Sequence, residues 1–142
     1  MPLSAPPNAP NRATPTTFRA DMDAFLAWLV TLFTAGMGYG TGVGGAVTQL
    51  TSRATGVTLN KICGGITLFS VAGSATWASF TLTNSFIEAA DMLIFAQNGG
   101  ANIYNFTCKV AAGSAVVSFQ TTGGTAVDAP IVNFAIIKAS RA

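Results

Sequence analysis

The spacing of hydrophobic and polar positions along this chain changes once, near residue 43. Before that point apolar residues recur at Phe18, Met22, Phe25, Leu29 and Phe33, a single stripe on a 3.6-residue helix. Thr14-Pro15 is a start signal for that helix, because a threonine oxygen can cap a free backbone N–H and proline in the first turn gives up no hydrogen bond. Leu26, Val30 and Leu32 widen the stripe and Trp28 lies partly off it. The predicted helix, residues 15–35, is therefore apolar over more than half its circumference and needs partners on more than one side. Arg19 and Asp23 form an i,i+4 pair on its surface, and Asp21 and Asp23 are expected near the positive end of its dipole. Gly36 ends it and opens a glycine-rich hinge over residues 36–45.

Beyond the hinge no proline occurs until Pro130, and short apolar or threonine-rich runs are separated by Gly, Asn, Ser or Asp, which is a strand pattern. Strands are predicted over residues 46–51, 56–60, 65–70, 76–83, 91–96, 102–110, 115–121 and 131–138. Alternation is clearest where Tyr104, Phe106, Cys108 and Val110 point inward against Asn105, Thr107 and Lys109, and where Val132, Phe134 and Ile136 oppose Asn133 and Lys138. Short strands without helices between them predict a mainly β fold, an antiparallel β-sandwich or jelly-roll domain over residues 46–142. Residues 1–14 contain Pro2, Pro6, Pro7 and Pro10, which bias the backbone to extended or polyproline conformations, so this stretch reads as an arm without a core of its own.

Composition narrows the function. The chain has 142 residues, 50% of them apolar and only 8% charged, with a net charge of +2 and no histidine, against roughly 25% charged residues in an ordinary soluble domain. Without histidine there is no Ser-His-Asp triad, no Cys-His pair and no histidine-bound metal. Seven scattered basic residues form no stripe that would neutralise nucleic-acid phosphates. Few charges also keep copies apart poorly, which points to a packed, multi-copy assembly. Cys63 and Cys108 read as free buried thiols rather than an oxidised framework. The apolar run Ala24–Ala35 holds 12 residues, short of the roughly 20 that a spanning helix needs. Asp21 and Asp23 directly before it argue against a signal peptide.

The motifs that could carry chemistry read more simply as structure. Gly40-Thr41-Gly42-Val43-Gly44-Gly45 spells a dinucleotide fingerprint, but a helix precedes it and a strand follows, the reverse of the required order, so a hinge or closely packed turn is the reading. Glu88, Asp91 and Asp128 could supply a glycosidase pair, yet Glu88-Ala89-Ala90-Asp91 and Asp128-Ala129-Pro130 are turn sequences in which Asp bonds its own backbone. No Ser-x-x-Lys spacing occurs for Lys61, Lys109 or Lys138. Asn105-Phe106-Thr107 is a glycosylation sequon inside a predicted strand of a chain without export features. Among Trp77, Phe80, Phe86 and Tyr104, the residues that could stack on sugars, Phe80 and Tyr104 fall in core phase and leave Trp77 and Phe86 for a surface. No metal or other cofactor is expected.

The wording of the β region resembles a known module. Gly38-Tyr39-Gly40-Thr41-Gly42, Gly44-Gly45-Ala46-Val47-Thr48-Gln49, Thr51-Ser52, Thr55 to Lys61, Gly65-Ile66-Thr67, Ser79 to Ser85, Asp91, Ala111 to Ser114 and Ile131 to Lys138 are similar to a β module of tailed-bacteriophage virion proteins. The segment from Pro10-Asn11-Arg12 through Pro15-Thr16-Thr17-Phe18 to Leu26 resembles the leader by which phage accessory and fibre proteins attach to the particle. The resemblance implies a structural protein without catalysis, located on the virion. No repetitive shaft separates helix from β module, which favours a capsid cement or decoration protein over a projecting fibre; the region Phe69–Thr76, with Cys63, departs from the pattern. The expected partners are the major capsid protein and further copies of the chain, a trimer being the simplest. They would be held through Pro6, Pro7, Pro10, Arg12, Phe18, Met22, Phe25, Leu29 and Phe33. The alternative is a short tail-fibre or head-fibre tip that binds a host glycan through Trp77, Phe86 and the loops at one end of the sandwich.

Overall fold

The computed structural model describes residues 15–34, 39–40 and 42–139, with helix side chains from Arg19 to Val30. The chain divides into two units, Met1–Thr41 and Gly42–Ala142.

Among the described residues of the first unit one helix, α1 (Pro15–Thr34), begins at the expected proline. Its first turn holds no acidic residue and its last no basic one. Asp21 and Asp23 therefore lie beyond the first turn, where the dipole no longer reaches them, a correction to the expected placement. Met22, Phe25, Trp28 and Leu29 are half-buried, Phe25 and Trp28 having ring centroids 6.0 Å apart, while Leu26 and Val30 are exposed.

The second unit is a sandwich-like arrangement of two four-stranded sheets and a two-stranded ribbon. The first sheet runs β1 (Gly44–Thr48), β3 (Cys63–Thr67), β10 (Ile131–Ile137), β6 (Met92–Gln97); the second runs β2 (Val57–Thr58), β5 (Ala78–Thr83), β8 (Ser114–Thr121), β7 (Tyr104–Ala111). The ribbon joins β4 (Val71–Ala72) to β9 (Val127–Asp128). Each predicted strand overlaps an observed one; the two ribbon strands were not predicted, being too short to show a period. The β unit takes the end of the expected hinge, since β1 already starts at Gly44.

Pairing is antiparallel except at β1–β3 and β2–β5, which are parallel. The reason is the route of the chain. It passes from β1 in the first sheet to β2 in the second and back to β3, so residues 49–62 form the crossover that a parallel pair requires. Where β1 and β3 run side by side they approach closely: a Cβ on Gly64 would lie 2.5 Å from the Gly45 carbonyl oxygen and 2.8 Å from Leu59. Glycine at 64 is what lets Leu59 lie over this corner. Close packing thus accounts for the end of the Gly-rich run and its partner strand, as the inverted fingerprint implied.

Between the sheets lie Ile66, Leu68, Leu82, Val117, Val132 and Ile136, all essentially without exposure, and an aromatic cluster centred on Phe119. Its ring is 6.0–6.2 Å from those of Phe80, Tyr104 and Phe106, and Phe106 stacks on Phe95 of the first sheet at 6.3 Å, distances suited to offset or tilted rings. The sheets do not close into a barrel. Along the flank between β6 and β7 the inward residues Leu93, Phe95, Phe106, Cys108 and Val110 are only half-buried.

Strand direction gives the unit two poles. The chain enters through Gly42 at a near pole with residues 59–62, 84–91 and 111–114; residues 49–56, 68–77, 98–103 and 122–130 form the far pole.

Candidate functional site

The two outer faces of the sandwich differ in chemistry. On the second sheet Ser79, Thr81 and Thr83 of β5 lie beside Ser118, Val116 and Ser114 of β8, and Asn105, Thr107 and Lys109 of β7 continue the face. Hydroxyls, amides and a lysine suit water. On the first sheet the register aligns Gly44, Cys63, Ala135 and Ile94 in one row and Ala46, Gly65, Asn133 and Ala96 in the next, with Ile137 beside Met92 at one end. No charged side chain occurs at any of these positions. Met92 and Ile94 are 56% and 53% exposed, and the glycines leave a shallow depression lined by Gly44, Cys63, Gly65 and Asn133. Strand alternation places apolar residues on both faces here, which is the pattern of a sheet covered on both sides.

The far pole is braced by a buried polar network. Arg53 donates through Nη2 to Asp128 Oδ1 at 2.8 Å and through Nη1 to the Tyr104 hydroxyl at 2.7 Å, and Tyr104 donates in turn to Asp128 Oδ1 at 2.7 Å. The backbone N–H groups of Ala101 and Asn102 each donate to Asp128 Oδ2 at 2.9 Å. Burial pushes the Asp128 carboxyl up, but the Tyr104 hydroxyl, the Asn102 N–H and the Arg53 guanidinium outweigh it and hold it at about 2. Burial, then the bond to the Asp128 carboxylate, raises the Tyr104 phenol. Asp128 was expected to serve its own turn; instead it ties together three stretches of chain far apart in sequence. Arg53 and Asn102 were missed, because nothing local marks a lone arginine between serine and alanine as buried.

On this brace sit exposed apolar side chains: Leu50 (82%), Ile103 (71%), Val127 (70%) and Trp77 (52%). Phe86, 48% exposed, lies beyond the opposite end of β5, at the near pole. The expected joint surface of Trp77 and Phe86 is thereby corrected: six residues of strand separate them.

At the near pole Asp91 accepts from Lys138 Nζ at 2.8 Å and from the Glu88 N–H at 2.8 Å, the turn expected from its sequence. The Lys138 hydrogen bond chiefly, and the Glu88 N–H with it, lower the Asp91 carboxyl. Lys138, expected on an outward phase, is half-exposed and also pairs with Glu88 at 3.4 Å. All three acids of the β unit thus hold their own chain. Both cysteines are free and half-buried rather than fully buried, Cys63 on the first sheet's outer face and Cys108 facing the open flank, where burial pushes its thiol up. Among the described residues no three of Cys, Asp and Glu gather as a metal would require, and no helix is long and apolar enough to cross a membrane.

Of the partner-binding residues expected from sequence, Met22, Phe25 and Leu29 share the half-buried side of α1. Phe18 and Phe33 are on the helix with side chains outside those described, and Pro6, Pro7, Pro10 and Arg12 lie outside the described residues. Leu26 and Val30, 49% and 61% exposed, continue the apolar surface around the helix. No protein-family model matches the chain, and neither does any curated protein or solved structure.

Proposed function

We propose that this protein is a non-enzymatic structural component of a phage virion, a capsid cement or decoration protein that binds the major capsid protein lattice and stabilises the head. The observation that carries this reading is the charge-free outer face of the first sheet, opposite a face of hydroxyls and lysine. It is joined by exposed Leu26 and Val30 on a largely apolar helix and by the resemblance of residues 38–138 to phage virion modules. In this mechanism the arm, residues 1–14, lies extended along neighbouring capsid subunits. The helix stripe buries apolar area against shell or sister copies, and the β unit caps the site. At about 25 cal/mol per Å², a few hundred Å² of helix surface contributes several kcal/mol per copy before ordering costs, and repetition over a lattice multiplies the effect.

A second reading, a short tail-fibre or head-fibre tip that binds a host surface glycan, is favoured by one feature. The exposed Trp77, Ile103 and Val127 stand on a rigid brace at the pole opposite the chain's entry, where a tip would present them. Quantitative mass spectrometry of purified particles, with immunogold labelling, separates the two. Hundreds of copies spread over the shell are expected; a handful confined to the tail would refute the cement reading and favour the tip.

A further inference from the structure

Sheet edges carry unpaired backbone groups, and folded proteins guard them with charge, proline, brevity or a covering segment. Three of the four edges here are broken by glycine, shortened or charged. β1 opens on Gly44-Gly45, with Leu59 and Lys61 packed on its face where a Cβ on Gly45 would lie 2.9 and 3.1 Å from them. β2 has two residues, and β7 carries Lys109 in its length. β6 has none of these devices: its six residues, Met-Leu-Ile-Phe-Ala-Gln, include no charge, proline or glycine.

The phase of β6 is settled by one hydrogen bond. Asn98 N–H donates to the Ile131 carbonyl at 2.8 Å, in register with the β6–β10 ladder. Since bonded pairs alternate in an antiparallel ladder, Met92, Ile94 and Ala96 bond to β10, and Leu93, Phe95 and Gln97 turn their N–H and C=O groups to the free edge. The same edge borders the open flank, where Leu93 and Phe95 are half-buried, and the exposed Met92 and Ile94 of the charge-free face.

We propose that a second copy of this chain covers this edge. The two β6 strands pair antiparallel about a two-fold axis centred on Phe95 and join the first sheets, four strands from each copy, into one. The strand suits its own copy. In this register Ile94 faces Ala96 of the second copy, large against small, Leu93 faces Gln97, and no charge meets its like, which an interface of identical patches requires. The chain's own arm is a poor occupant: Pro6 and Pro7 remove donors from both phases of any strand it could form. Pairing also brings the second copy against the half-buried Phe95. This inference does not rest on the virion reading.

The register makes the test specific. Positions 94 and 96 face each other in a non-bonded pair, with Cβ atoms about 4.5–5.5 Å apart, within reach of a disulfide. Full-length chain carrying Ile94→Cys and Ala96→Cys, with Cys63→Ala and Cys108→Ala, is expected to oxidise to a covalent dimer of twice 14.5 kDa, whereas either single variant should not. Ile94→Lys in the otherwise unaltered chain, its side chain pointing away from the core, should retain its circular dichroism and halve the mass seen by sedimentation. No covalent dimer above the single-cysteine level, or an unchanged mass for Ile94→Lys, overturns the proposal.

Discussion

Replacing Arg53 by methionine removes a guanidinium and keeps an unbranched stem. In the folded unit that group donates to the carbonyls of Phe69, Val71 and Asp128 at 3.0, 2.8 and 2.8 Å, to the Tyr104 hydroxyl at 2.7 Å and to the Asp128 carboxylate at 2.8 Å. Without it, the Asp128 side chain, only 5% exposed, keeps its charge in the interior with the Tyr104 hydroxyl and two backbone N–H groups as donors. Breaking a buried pair from one side costs about 3–5 kcal/mol. For a unit of about 100 residues each kcal/mol lowers Tm by roughly 4–8 °C, so a fall of at least about 12 °C is expected. Urea and thermal unfolding followed by Trp77 fluorescence, with Trp28→Phe to silence the helix, measures it. The double variant Arg53→Met with Asp128→Leu should be more stable than Arg53→Met alone, since no buried charge is then stranded. A loss below about 1 kcal/mol, the range of an exposed ion pair, or strict additivity of the two substitutions would refute the claim that the network braces the far pole.

The depressed Asp128 carboxyl means that between about pH 4 and 2 the unfolded chain binds more protons than the folded one. Its contribution, at most about 2 kcal/mol before allowance for solvent at the pole, is complete above pH 4 and lost as pH falls toward 2; acid titrations of stability should show this slope, flattened in Asp128→Asn. Gly64→Ala places a methyl 2.5 Å from the Gly45 carbonyl oxygen and should cost about 1–3 kcal/mol in urea unfolding, whereas Gly113→Ala, where no described residue would lie within 4 Å of the added methyl, should suffer only from its φ of +77° and lose less. The buried Thr121 Oγ1 has no hydrogen-bond partner among the described residues, so Thr121→Val should be neutral or stabilising by up to about 1 kcal/mol; a clear loss of Tm would show that the hydroxyl is bonded.

Much of the fold was legible because it rests on periods. Four-and-three spacing from Phe18 to Phe33 and a proline at position 15 specify a helix, and alternation from Tyr104 to Val110 specifies which side of β7 faces the core. The ribbon strands escaped notice because two residues carry no period, and the parallel pairs because strand direction depends on which sheet an intervening segment crosses to. At the sites the difference was sharper. Asp91 was legible, its partner Glu88 N–H being three residues away. Asp128 was misread, because the residues that bind it, Arg53 and Tyr104, are 75 and 24 positions distant. The apolar run Met92–Ala96 announced a strand, without revealing that one of its faces has no cover among the described residues of the unit.

By itself, then, the sequence determined the longer elements, the inward side of β7 and β10 and the scarcity of charge, since these follow from local sterics and from the cost of leaving apolar groups in water. Tertiary structure alone decided that the three acids of the β unit divide between a buried brace and a surface turn, that Trp77 and Phe86 stand at opposite poles, and that no described segment covers the edge of β6. Those features depend on which strands become neighbours, a choice made by the packing of the whole unit, where burial and main-chain pairing outweigh any local preference.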